Sequence, residues 1–149
     1  MWDKISITNG VYMLKRLILL LVLVAVTYGQ GMSNGPFTLG DSKEIARRHC
    51  TSMTTIDSVN YTVTVREDDY HLVFENNQLW LIEQQYSGKK DDYIAAVLHL
   101  SEYTGRRPDR HAPLENEHFS TWVGRHSSLV ISYNFKTNLI SIHLVDTRE

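Results

Sequence analysis

The hydrophobic period of this chain changes twice, and those changes limit the architectures open to it. Between Tyr61 and Glu83 apolar and polar side chains alternate: Tyr61, Val63 and Val65, then Tyr70, Leu72 and Phe74, then the run Leu79 to Glu83. Asp68-Asp69 and Asn76-Asn77 mark the turns between these runs. A period of two is the mark of strands that bury one face. From Tyr93 the period lengthens, because Tyr93, Ala96, Val97, Leu100 and Tyr103 fall at offsets 0, 3, 4, 7 and 10 and line one face of a helix. Asp91 or Asp92 can cap its start, Gly105 can take the left-handed position at its end, and Pro108 prevents continuation. Apolar runs return at Phe119 to Val123, Leu129 to Tyr133 and Leu139 to Val145, parted by Gly124-Arg125-His126 and Lys136-Thr137-Asn138.

A shorter helix is expected from Ser42 to Cys50, where Asp41 and Glu44 have the spacing of a capping box. The expected order is helix, three strands, helix, three strands. That is an α+β fold of two helix-plus-three-stranded antiparallel meander units packed as one domain, the helices covering the apolar face of the strands. The two units repeat in pattern only, without residue-level identity.

Ahead of this domain stand the basic pair Lys15-Arg16, the ten apolar residues Leu17 to Val26, and the small residues Thr27 and Gly29. This is the layout of a secretory signal, with the cut before Gln30. A helix rising about 1.5 Å per residue needs about 20 residues to cross a bilayer, so the run targets rather than spans. Ala25 and Thr27 would allow a cut two residues earlier, and Met13, followed by Leu14, Lys15 and Arg16, offers an alternative start. Residues 1–29 are therefore assigned to the signal, 30–38 to a flexible lead-in rich in Gly, Ser, Asn and Pro, and 39–149 to a single domain. The membrane is touched only through the signal segment, if it stays uncleaved.

Cys50 is the only cysteine, so no internal disulfide can form, which favours a bacterial envelope over an animal secretory route. The expected location is periplasmic or secreted. Asn60-Tyr61-Thr62 matches a glycosylation acceptor, a triplet without meaning in most bacterial exports. The whole chain holds 15 basic and 17 acidic residues; losing Lys4, Lys15, Arg16 and Asp3 with the leader leaves 12 against 16, a net charge of −4. Such a balance argues against nucleic acid as a partner.

The segment Gly35-Pro36-Phe37-Thr38-Leu39-Gly40-Asp41-Ser42-Lys43-Glu44-Ile45 resembles the opening of small exported proteins of the BamE/SmpA type. Tyr103-Thr104-Gly105-Arg106-Arg107-Pro108 is similar to the helix exit of the same loose group, which includes the β-lactamase-inhibitor-like fold, with Thr104 and one extra residue before the proline as departures. No cysteine stands where a lipid anchor would attach. The resemblance implies a binding module rather than an enzyme, and carries no functional residue by position.

No serine elbow, phosphate loop or glycine fingerprint occurs. His49 and Cys50 are neighbours about 100° apart on a helix and do not face one another, so Cys50 reads as structural. The spacings of His111, His118 and His126 match no tight ligand pair, and no metal or cofactor is expected. Glu67-Asp68-Asp69 reads as a soluble turn, and His143 as pointing away from Ile140, Ile142 and Leu144. The chain therefore reads as non-enzymatic. The stronger clue is aromatic: Trp80, Tyr86, Tyr93, Tyr103 and Trp122 flank the expected sheet and helix, with Arg106, Arg107 and Arg110 near one rim. Trp80 and Ile82 are expected on the face opposite Leu79 and Leu81, giving that strand apolar groups on both faces. Trp, Tyr and Arg dominate protein interfaces, so Trp80, Tyr86, Tyr103, Arg106, Arg107, Arg110 and Trp122 are the candidate binding residues. The expected function is an exported protein-binding module, such as an inhibitor, an immunity protein or an envelope accessory factor, with another protein as partner. The alternatives are a small envelope hydrolase, which needs a cleft gathering two of His99, His111, His118, Glu115 and Glu117, and a small-ligand or lipid carrier, which needs a continuous apolar cavity.

Overall fold

The structure, a computed structural model, describes residues 33–148; the signal segment, the Met13 start and the cut before Gln30 lie outside them. Ser33–Asn34 (β1) and Phe37–Thr38 (β2) form a small hairpin, followed by the helix Lys43–His49 (α1). Four strands come next, Ser52–Thr55 (β3), Asn60–Val65 (β4), Asp68–Glu75 (β5) and Gln78–Ser87 (β6). The helix Lys90–Thr104 (α2) leads into Arg110–Pro113 (β7), Glu117–Val123 (β8), Ser127–Asn134 (β9) and Leu139–Asp146 (β10). Strands β3 to β10 make one antiparallel sheet of eight strands in the order β3-β4-β5-β6-β10-β9-β8-β7.

This overturns the expected α+β arrangement of two helix-plus-three-strand units. The described chain is mostly β, each helix is followed by four strands, and the two meanders share one sheet rather than forming separate units. They join where β6 pairs with β10, from Ser87↔Leu139 to Leu81↔Val145. Within the eight-stranded sheet, the strands that patterning missed are β3 and β7, its two outer strands. Both are exposed at three of their four positions, so neither bears the alternation that reveals a half-buried strand.

The helices and the hairpin lie on the same side of the sheet. Tyr93 of α2 bonds through its hydroxyl to Ser120 of β8 at 2.8 Å and stacks on Tyr133 of β9, ring centres 6.2 Å apart. At the other end the Lys43 ammonium of α1 lies 5.0 Å from the centre of the Tyr61 ring of β4. Between them Phe37 of the hairpin meets Tyr70 of β5 edge-on at 5.1 Å. Phe37, Ala46, Ala96 and Leu100 thus close over Leu72, Ile82, Ile131 and Ile142 as one core. Residues 33–38, expected as part of a flexible lead-in, are therefore built into the fold, with Phe37 fully buried.

Local chemistry sets the helix ends. The cap of α1 is Ser42, whose hydroxyl accepts from the Ile45 N–H at 3.3 Å; Asp41 instead accepts from the Thr38 N–H at 2.9 Å and ties the hairpin to the helix. At α2, Asp92 accepts from the Lys89 N–H at 2.8 Å, and Gly105 ends the helix in the left-handed region at φ 64°. Among the described residues no helix is long and apolar enough to cross a membrane.

Candidate binding surface

Because both helices and the hairpin occupy one side, no described element packs on the other side of the sheet. Strand residues alternate between faces, so the pairing register states which side chains share that open face. One row crosses all eight strands: Thr54, Thr62, His71, Glu83, His143, Val130, Thr121 and Arg110. Beside it runs a more apolar row of Val73, Leu81, Val145, Ser128 and Val123.

Trp80 joins this surface through an irregularity. The β5–β6 register shifts between Val73 and Phe74, which pair with Leu81 and Leu79 respectively, so Trp80 is an extra residue on β6. A bulge of this kind puts two residues opposite one and breaks the alternation. Leu79 and Ile82 are both fully buried, an odd separation that leaves Trp80 and Leu81 both outside the core. The expectation that Ile82 shares the face of Trp80 is thereby corrected.

At the middle of the face is a polar network. His71 Nδ1 lies 3.0 Å from Glu83 Oε2 and His71 Nε2 lies 3.1 Å from Asn60 Oδ1. The Asn60 amide is oriented by its Nδ2, which donates to Asp57 at 2.7 Å, leaving its oxygen for His71. Both His71 nitrogens thus face an oxygen, one of Glu83 and one of Asn60. Gln85 donates to the other Glu83 oxygen at 2.8 Å, and His143 Nε2 stands 3.9 Å from it. Burial pushes the Glu83 carboxyl up, but the hydrogen bonds from His71 and Gln85 and the neighbouring His143 outweigh it and leave the group below the usual carboxylate range. The arrangement holds a carboxylate near the centre of the face, beside the aliphatic row of Val73, Leu81 and Val145. Sequence reading missed this centre, since His71, Glu83 and His143 sit on three strands and only the register brings them together.

The candidate residues fare differently. Trp80 is exposed, at 38 %. Tyr86 is half-buried and packs against the core. Trp122 is inside the core at 6 %, its indole N–H directed to the Arg106 carbonyl at 3.4 Å, and so offers no surface to a partner. Tyr103 lies in α2, and its side chain is outside what is described. Arg106 grips Asp109 with both oxygens at 2.9 Å, while Asp109 accepts from the Val123 N–H at 2.6 Å, so this arginine closes the turn from α2 into β7. The bond from the Val123 N–H, with that from Arg106, holds the Asp109 carboxyl below its ordinary value. Arg107 and Arg110 are exposed, Arg110 at the far end of the long row. Trp80 on β6 and Arg110 on β7 are four inter-strand steps apart, about 19 Å, so the expected aromatic and arginine residues do not form one patch.

Ser120 accepts or donates between His111 Nδ1 at 2.7 Å and the Tyr93 hydroxyl at 2.8 Å, but its side chain is wholly buried on the helix side. Cys50 is half-buried at the end of α1, its thiol directed to the Arg47 carbonyl. Among the described residues no group of three or more His, Cys, Asp or Glu is placed to hold a metal ion. No family model, no curated protein and no solved structure matches this chain.

Proposed function

We propose that this chain is an exported protein-binding module, periplasmic or secreted, of the inhibitor, immunity-protein or envelope-accessory kind, and that it engages another protein through the open face of its sheet. The observation that carries the reading is the juxtaposition of Trp80, Leu81, Val73 and Val145 with the Glu83–His71–His143 network on a face that no described element covers. An apolar strip around a fixed, partly desolvated carboxylate supplies contact area and orientation together, the combination that makes protein interfaces specific. Export is supported by Lys15-Arg16 ahead of Leu17 to Val26. The resemblance of the 35–45 and 103–108 segments to BamE/SmpA-type and β-lactamase-inhibitor-like proteins agrees with a binding role.

The test is capture from an envelope extract of the source cell by the full chain and by Leu81→Lys, with protein partners identified by mass. The wild type is expected to retain a stoichiometric, salt-resistant partner that Leu81→Lys loses by roughly tenfold or more while keeping its circular dichroism. Equal retention by both chains would overturn the reading.

A further inference from the structure

The two edges of the sheet differ in what their backbones offer. In an antiparallel pair, alternate residues turn both N–H and C=O toward the neighbour, and those between turn both away. On β7, Leu114 donates to the Glu117 carbonyl at 2.6 Å and continues the Arg110↔Thr121 register, so Arg110 and Ala112 face β8 while His111 and Pro113 face outward. Pro113 has no N–H, and proline and charge on an edge are the usual guards against further pairing. On β3, Ile56 donates to the Asn60 carbonyl at 2.9 Å and continues the Ser52↔Thr64 register, so Ser52 and Thr54 face β4 while Met53 and Thr55 face outward. This edge, Ser-Met-Thr-Thr, carries neither charge nor proline. Ile56 at its end is 61 % exposed and Val59 just beyond is 40 % exposed.

We infer that β3 pairs with β3 of a second copy of this chain, antiparallel, about a twofold axis through Thr54. The outward residues Met53 and Thr55 flank Thr54 symmetrically. Two copies in this register therefore exchange hydrogen bonds between Met53 of each and Thr55 of the other, four bonds from one self-complementary edge, as a twofold interface requires. The two Thr54 side chains meet as a close cross-strand pair, a favourable one for threonine. Charge agrees with this direction: Asp57 follows one end of β3, and Arg66 is bound to the other end by its N–H to the Thr51 hydroxyl at 3.4 Å. Antiparallel pairing sets the Asp57 end of each copy against the Arg66 end of the other and covers Ile56. Thr54 also terminates the eight-residue row of the open face, so the dimer would make that face continuous across both chains. The inference does not depend on the identity of any other partner.

Cross-linking tests it on the full chain, with Cys50→Ser in every variant. In the Thr54→Cys chain the two copies' thiols sit across a pair with Cα atoms about 4.5 Å apart, within disulfide range. Ser52→Cys, exposed on the same face, lies opposite the copy's Ile56 and is displaced about 13 Å along the strand from its own equivalent. The expected result is a disulfide-linked dimer forming roughly tenfold faster for Thr54→Cys than for Ser52→Cys, a sedimenting dimer for the wild type, and a folded monomer for Thr55→Pro, which removes an outward donor that β4 does not use. Equal cross-linking of the two cysteines, a wild type that sediments as monomer at its highest soluble concentration, or a Thr55→Pro chain that still dimerises would each overturn it.

Discussion

His71 reaches across the β5–β6 pair to Glu83 at 3.0 Å while Asn60 occupies its other ring nitrogen at 3.1 Å. Because these contacts leave the Glu83 carboxyl below its unfolded value, the native state binds fewer protons in the acid range and its stability rises with pH there. The contribution is complete above the unfolded carboxylate value of about 4.3 and is lost as the pH falls through the folded value. Glu83→Gln keeps the shape and removes the charge. Its expected cost is about 1 kcal/mol at neutral pH, discounted for the partial exposure of His71. Urea melts of both chains should show that difference shrinking as the pH is lowered toward the folded value of Glu83; a difference independent of pH would mean the charge is not what matters.

Gly35 turns the hairpin at φ +61°, and a Cβ there would stand 2.3 Å from the Tyr70 hydroxyl. Gly35→Ala therefore meets both a left-handed backbone and a fixed ring, and should cost about 1–3 kcal/mol. Urea denaturation measures it directly. A loss near zero would show that the hairpin does not hold its place over β5.

Gln84 lies at the seam opposite Ile142, 1 % exposed, with neither amide atom in good hydrogen-bond geometry although the Tyr70 hydroxyl is a neighbour. That hydroxyl is itself pushed up to about 12, chiefly by burial and also by Asp68. A buried amide without firm partners costs about 1–3 kcal/mol, so Gln84→Met, of similar volume and no polar atoms, should hold or raise stability by about 1 kcal/mol. A clear fall in the thermal midpoint would show that the amide is bonded in solution.

How far the sequence could be read depended on burial. Tyr93, Ala96 and Leu100 face the core from α2, and the helix ends at Gly105, because an apolar stripe and a left-handed cap are written within one segment. The alternation of Tyr61 with Val63, of Tyr70 with Leu72 and Phe74, and of Ile140 with Ile142 and Leu144 was equally plain. β3 and β7 were not, since an edge strand exposed at most positions has no reason to alternate. Leu79 and Ile82 misled because a bulge at Trp80 changes the parity without changing composition. The candidate surface was the least legible part. Trp122, a candidate binding residue by composition, is core, while Glu83, the centre of the open face, acquires its partners only through pairing with β5 and β10.

The measurement that tests the central claim most directly compares two lysine substitutions for release of the captured protein: Val145→Lys on the open face and Ile94→Lys on the exposed side of α2, where Ile94 is 41 % exposed. Binding through the sheet predicts that Val145→Lys accelerates dissociation roughly tenfold or more, while Ile94→Lys leaves it unchanged. The reverse pattern, with Ile94→Lys releasing the partner and Val145→Lys retaining it, would place the contact on the helix side and contradict the account.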